Sequence, residues 1–169
     1  MNIRKYLTTL LFLFLTACST GPSLISYYID INVLHFFISP SNWTATGSKF
    51  KAQLDITYRT GTDTPAIVNI SFFGDKSIPR RITTIYFNGN DIKYFLENIT
   101  ILYPDPKKRE LRVSTTGNRD ALITLLESDN ITLIAEIDGV FYVFNPDKNF
   151  NKIKNDFLIS VSYNFNEIF

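Results

Sequence analysis

Residues that commonly perform catalysis or bind metals are scarce in this chain of 169 residues. Its single histidine, His35, stands between Val33 and Phe37 in an apolar stretch, where a packed imidazole accounts for the residue better than a catalytic one. One histidine and one cysteine do not supply the ligand set of a zinc site. The sequence contains neither a Gly-x-Ser-x-Gly motif nor a Gly-rich phosphate loop. We therefore expect no metal, no cofactor and no enzymatic activity.

Carboxylates are the remaining groups with catalytic potential, because two of them facing one cleft can hydrolyse a glycosidic bond. Here they are scattered, and sequence spacing does not bring any two together. An unrecognised hydrolase site, built on such a pair or on His35 with a serine, stays open as an alternative. The carboxylates concerned are Asp55, Asp75, Asp91, Glu97, Glu110, Glu136 and Asp138.

The first residues have the pattern of a secretory signal. Two positive charges, Arg4 and Lys5, precede a run from Leu7 to Leu15 that is almost wholly apolar. This run is much shorter than the ~20 apolar residues that a bilayer-spanning helix requires. A membrane-spanning segment is therefore not expected here.

The leader ends in Leu15-Thr16-Ala17-Cys18, which resembles the lipobox of bacterial lipoproteins. The resemblance implies that diacylglycerol is attached to the Cys18 sulfur and that the chain is cleaved between Ala17 and Cys18. It implies a protein anchored by lipid to the cell membrane or the outer membrane, on the extracytoplasmic side. Residues 1–17 are then the signal peptide, 18–24 a short lipidated tether and 25–169 a single β-rich domain.

The charge of the chain is nearly balanced, with 17 basic and 16 acidic residues. Bulk electrostatic binding of nucleic acid is therefore disfavoured. Two basic clusters stand out, Arg80-Arg81 and Lys107-Lys108-Arg109. Solvation of ordinary loops explains both clusters. The sharper hypothesis is that they contact anionic lipid head groups or an acidic partner.

Apolar residues of the domain recur mostly with the two-residue period of β-strands. The clearest strand runs from Lys49 to Arg59, with its even positions apolar and its odd positions polar. A second is predicted over 25–38, with His35 and the other odd positions on the apolar face and the cluster Ser39–Asn42 as its end. Further strands are predicted over 67–73, 82–87, 99–103, 110–116, 131–137, 140–144 and 157–165.

Turn and helix signals complete the pattern. Asn88-Gly89 and Asp138-Gly139 predict tight turns, because both central residues of a type I′ turn need positive φ. One short helix is predicted near 118–128, with Asn118 as its cap and leucines on one face. The segment 147–155 is predicted to be a polar loop or a single helical turn.

Short strands with few helices predict a mainly β, β-rich α+β fold, either an antiparallel β-sandwich or an open barrel. We expect a membrane-anchored cell-envelope lipoprotein that acts as a binding or structural module, with an envelope protein as one candidate partner. The alternative is a carrier of an apolar or lipidic ligand, in which Trp43 and Phe36-Phe37 line a cleft.

Overall fold

The fold is seen in a computed structural model that describes residues 23–31, 33–90 and 92–166, with side chains described up to residue 162. The predicted signal peptide, the predicted cleavage site after Ala17 and the predicted lipidation site Cys18 lie outside these residues. The strands are β1 (Leu24–Asp30), β2 (Val33–Ala45), β3 (Lys51–Arg59), β4 (Ala66–Phe73), β5 (Ile82–Gly89), β6 (Ile92–Phe95), β7 (Glu97–Asp105), β8 (Glu110–Gly117), β9 (Ile131–Ile137) and β10 (Val140–Pro146). The helices are α1 (Arg119–Leu126) and α2 (Lys148–Asn166).

All ten strands form one antiparallel sheet that closes almost into a barrel, which confirms the predicted mainly β class. The strand order is β6-β5-β9-β10-β2-β3-β4-β8-β7, and β1 pairs with β2 beside this path. β6 and β7 stand at opposite ends of the order but are separated in the chain only by Leu96, whose amide donates to the Ile85 carbonyl. The chain therefore pairs with β5 before Leu96 and with β8 after it. This continuous segment nearly closes the barrel.

The alternation in β3 sets which face of the sheet is the core. Ala52, Leu54, Ile56 and Tyr58 are each 1% exposed, whereas Lys51 is exposed. Successive side chains of a strand point to opposite faces, so the even positions line the barrel interior and the odd positions its outer face. The predicted strand over 49–59 is confirmed in its position and in its buried face.

Helix α1 follows the prediction near 118–128. The Asn118 side chain accepts a hydrogen bond from the Ala121 amide at 2.9 Å, which satisfies one of the free amides at the helix start. The leucines at 122, 125 and 126 are buried against β5 and β6. The predicted hairpin at Asp138-Gly139 is also confirmed, with φ of 52° and 82° at its two central residues.

The turn predicted at Asn88-Gly89 is wrong by two positions. Gly89 belongs to β5 and pairs with both Ile92 and Ile131, and the positive φ of 47° falls on Asn90. Gly89 is required for a different reason. A Cβ there would lie 2.9 Å from the side chain of Ser128, so the glycine permits close approach of the segment after α1.

The strand predicted over 25–38 is two strands, and the predicted face is wrong. β1 and β2 fold back on each other, and the buried positions of β2 are the even ones, Leu34, Phe36 and Ile38. His35 therefore lies on the outer face. The predicted strand end over 39–42 is also wrong, because an irregularity in the β2–β3 pairing between Ile38 and Ser41 lets β2 continue to Ala45.

The strand predicted over 157–165, and the loop or single turn predicted over 147–155, are both part of the long helix α2. Its buried apolar positions are Phe150, Ile153, Phe157 and Val161, which follow the helical period, whereas Ile159 is 56% exposed. The Asp147 carboxylate accepts from the Phe150 amide at 3.0 Å and so caps the helix start.

Helix α2 fills the inside of the barrel with aromatic contacts. Phe157 meets Phe36 and Tyr58 edge to face, with ring centroids 5.5 and 5.4 Å apart. Phe150 meets Trp43 at 4.8 Å. In the described part of the chain, Trp43 and Phe36 are at most 1% exposed and are packed core residues, while Phe37 lies on the outer face.

Candidate anion-binding site

The pairing registers of β2, β3, β4 and β8 place one end of each of these strands at the same end of the barrel. Thr44 of β2 pairs with Lys51 of β3, Lys51 pairs with Phe73 of β4, and Phe73 pairs with Glu110 of β8. The β2–β3 turn, the connection after β4 and the β7–β8 turn therefore leave the sheet at this same end. These three segments carry seven basic residues, which are Lys49, Lys76, Arg80, Arg81, Lys107, Lys108 and Arg109.

The connection over 74–81 joins the two basic clusters predicted from the sequence. At its start, the Gly74 amide donates to the Arg109 carbonyl at 2.9 Å, and the Arg109 guanidinium donates to the Asp75 carbonyl. At its end, the amides of Arg80 and Arg81 donate to the Asp138 carboxylate at 3.1 and 2.9 Å. Clusters that are far apart in sequence are thus fixed to the two ends of one short segment.

An open cleft of about 490 Å³ lies at the first of these ends. Lys49, Lys51, Lys108 and Arg109 line it, together with one carboxylic acid, Asp75. The remaining lining residues are Thr44, Phe73 and Gly74. A second shallow groove shares Thr44, Lys51 and Phe73 with this cleft and extends it along the outer face between β2 and β3.

The Asp105 carboxylate, at the end of β7, is directed mainly at the backbone of the β7–β8 turn. The Asp105 carboxylate accepts from the amides of Lys107 and Lys108 at 3.0 and 3.3 Å, and its contact with the Lys108 ammonium is long, at 3.8 Å. Lys107 lies on the same turn but does not line the cleft. Four cations thus converge on one opening, an arrangement suited to an anion.

The outer face where β3, β4 and β8 adjoin is polar and internally paired. Asp55 is 2% exposed and receives the Arg112 guanidinium at 2.5 Å and the Asn69 side-chain amide at 2.7 Å. Arg112 also donates to the Ser71 hydroxyl at 2.9 Å. Because its charge is neutralised by Asp55, Arg112 adds little to the positive potential of the cleft.

His35 is not placed for acid–base catalysis. Its ring stacks on Tyr27 at 4.8 Å between centroids, and its cross-strand neighbour is Arg59. Desolvation, and then the positive charge of Arg59, lower the pKa of His35 below its usual value. A neutral imidazole beside a cation, with no carboxylate among its described contacts, lacks the partner that orients a catalytic histidine.

Three of the carboxylates considered for a hydrolase are engaged separately, and a fourth, Asp91, lies outside the described residues. Asp55 binds Arg112, Glu136 accepts from the Thr83 and Thr84 hydroxyls, and Asp138 accepts from backbone amides. In the part of the chain that the structure describes, no three His, Cys, Asp or Glu side chains are grouped to hold a metal ion. Among the same residues, no helix has the length and apolar character needed to cross a membrane.

No protein-family model, characterised protein or solved structure matches this chain. The candidate site is therefore supported by the geometry of the cleft alone. Of the basic residues predicted from the sequence, Lys108 and Arg109 line the cleft, whereas Arg80, Arg81 and Lys107 do not. The sequence analysis missed the contribution of Lys49 and Lys51, although their positions on the polar face of the strand predicted over 49–59 were the available signal.

Proposed function

We propose that this protein is a lipid-anchored envelope lipoprotein whose β-barrel is a binding module for anionic head groups at a membrane surface. The observation that carries the binding part is the cleft in which Lys49, Lys51, Lys108 and Arg109 converge. Each basic residue close to an anionic surface contributes ~1 kcal/mol. The anchor part rests on the lipobox resemblance at Cys18.

The distribution of basic residues favours binding at one surface of the protein over attraction by its net charge. Once Arg4 and Lys5 are removed with the leader, the chain has 15 basic and 16 acidic residues and is close to neutral. Eight of those 15 lie on the β2–β3 turn and the start of β3, on the connection over 74–81, or on the β7–β8 turn. They are Lys49, Lys51, Lys76, Arg80, Arg81, Lys107, Lys108 and Arg109.

The anchor is tested by replacing Cys18 with serine. Two or three acyl chains hold a protein stably on a bilayer where one chain would not, so the Cys18→Ser protein should lose stable membrane attachment or remain unprocessed. The measurement is fractionation of cells expressing each form, with the mature size read from a gel. Membrane fractionation of the variant at the mature size would contradict lipid anchoring.

The binding surface is tested by the variant Lys49→Gln/Lys108→Gln/Arg109→Gln, which removes three of the four cleft cations and is prepared without leader and lipid. Loss of three charges at ~1 kcal/mol each should weaken binding to vesicles containing anionic lipid by up to about a hundredfold at low salt. The matched control replaces three exposed lysines outside the cleft, Lys93, Lys148 and Lys152, with glutamine.

Only the cleft variant should lose binding, and raising the salt should remove the difference because exposed charges are screened. Equal binding by parent and variant at low salt would contradict the proposal. So would equal loss in the control. Binding to an acidic protein with no binding to vesicles would assign the cleft to a protein partner instead.

A carrier function needs interior space, and the described interior is filled around Phe157 and Trp43.

A further inference from the structure

β1 carries an unusual set of exposed apolar side chains. Ile25 and Tyr27 share one face and are 48 and 49% exposed, while Ile29, at an irregularity in the pairing with β2, and Ile31 in the following turn are 46 and 86% exposed. Cross-strand pairing of Ile25 with Phe37 and of Tyr27 with His35 places this face outside the barrel. We call these four residues, Ile25, Tyr27, Ile29 and Ile31, the β1 strip.

The β1 strip lies on the same side of the sheet as the basic cleft. Phe37 pairs with Thr57 and Thr44 pairs with Lys51, all on the outer face of β2 and β3. An outer face that is apolar and aromatic at one end and basic at the other matches the two zones of a membrane surface. Isoleucine and tyrosine favour the boundary of the acyl region, and lysine and arginine favour the head groups.

The predicted tether distinguishes the β1 strip from the other strands that expose apolar side chains. Leu24 follows Cys18 by six residues, which span at most ~20 Å when fully extended. If Cys18 carries lipid, Leu24 at the start of β1 is held within that distance of the bilayer. β7 exposes a comparable set, Ile101, Leu102 and Tyr103 at 54, 49 and 46%, but no such tether holds it there.

We infer that the β1 strip lies in the interfacial layer of the bilayer to which Cys18 is anchored. The inference rests on the proposed anchor and adds the orientation of the barrel on the membrane. Contact along β1 buries apolar surface, and it brings the outer face of β2 and β3, with the basic cleft, toward the head groups.

The test uses the mature, membrane-extracted protein reconstituted into vesicles. Cys18 is the only cysteine, so lipidation leaves the parent protein without a free thiol. Ile31→Cys and, as the matched control, Ile101→Cys each introduce one thiol at an exposed apolar position. Each is labelled with an environment-sensitive fluorophore, and quenching is measured with lipids that carry a quencher at the acyl boundary. Circular dichroism of both proteins confirms that they are folded.

We expect a blue-shifted, quenched probe at position 31 and a water-like, unquenched probe at position 101. A water-like probe at both positions overturns the inference while leaving the anchor intact. Insertion of both probes also overturns it, because no side would then be preferred. Labelling of the parent protein would show a free thiol at Cys18 and would overturn the anchor together with the inference.

As a second readout, Ile25→Ser/Ile29→Ser/Ile31→Ser in the form without leader and lipid should reduce binding to uncharged vesicles about tenfold or more. Ile101→Ser/Leu102→Ser/Tyr103→Ser should not.

Discussion

The assignment of residues 148–166 to a helix inside the barrel predicts a large cost for Phe157→Ala. Phe157 is fully buried and makes edge-to-face contacts with Phe36 and Tyr58. Removal of a buried phenylalanine ring costs about 3–5 kcal/mol, because the transfer free energy is lost and a cavity remains. Each edge-to-face pair is worth about 0.5–1.5 kcal/mol beyond the buried area, which places this site toward the upper part of that range.

The matched control is Ile159→Ala. In a strand, positions 157 and 159 would share one face and both substitutions would be costly. In α2, Ile159 is 56% exposed, so its truncation should change the free energy of unfolding by no more than about 0.5 kcal/mol.

The assay is equilibrium unfolding in urea, followed by circular dichroism, with the slope of the transition compared between variants. We expect a lower midpoint for Phe157→Ala at an unchanged slope. A loss at Ile159 as large as the loss at Phe157 would refute the helical assignment. A loss at Phe157 below about 1 kcal/mol would refute the packing of α2 inside the barrel.

Three further outcomes are expected from the same unfolding assay. Arg112→Met should cost about 2–4 kcal/mol, because it leaves the buried Asp55 carboxylate without its cation, and adding Asp55→Leu should recover part of the loss. Tyr94→Phe should cost about 1 kcal/mol at neutral pH by removing a 2.7 Å hydrogen bond to the backbone carbonyl of Asn118, the residue whose side chain caps α1. Burial raises the pKa of Tyr94 above its usual value, so the phenol stabilises the folded state fully below about pH 10 and loses this effect as pH rises. Parent stability should therefore fall more steeply above that pH than that of Tyr94→Phe, and parallel pH profiles would contradict the argument. Gly89→Ala should cost about 1–3 kcal/mol because its Cβ would press on Ser128 at 2.9 Å, and a neutral effect would show that the contact is not tight.

Local patterns predicted the elements whose sequence offered one interpretation. β3 has a strict alternation of apolar and polar residues, so both its extent and its buried face followed from the sequence. The start of α1 was predictable because Asn118 both ends the preceding strand and caps the helix. The hairpin at Asp138-Gly139 was predictable because few other residue pairs adopt positive φ without strain.

The errors occurred where one sequence fits two periods. Residues 157, 159 and 161 alternate as in a strand, but positions 150, 153, 157 and 161 also fit a helix, and packing inside the barrel decided between them. Apolar residues occupy both odd and even positions over 25–38, so the hairpin between β1 and β2 could not be seen. A one-residue shift in the assignment then moved His35 to the wrong face.

The candidate site was predictable only in pieces. The two basic clusters are evident as sequence, but nothing local indicates that the connection over 74–81 ties them together. Lys49 and Lys51 join the cleft because β2, β3, β4 and β8 align their ends, which is a property of the strand order. Strand order in an antiparallel sheet depends on pairing between distant segments, and short sequence patterns do not encode it.

The seam between β2 and β10 has a consequence for how the chain reaches this fold. Residues 43–45 pair there with residues 144–146, about a hundred positions later, whereas β2 and β3 are joined by a short turn. Ordering so long an intervening loop is entropically costly, so contacts of this kind tend to form late and slow the search for the native state. We expect β2, β3 and β4 to pair first and the seam between β2 and β10 to form last. Packing of α2 against the sheet should then stabilise the seam. A polypeptide delivered across a membrane would then expose unpaired strand edges until its final residues have emerged, a period in which a holding chaperone would protect it.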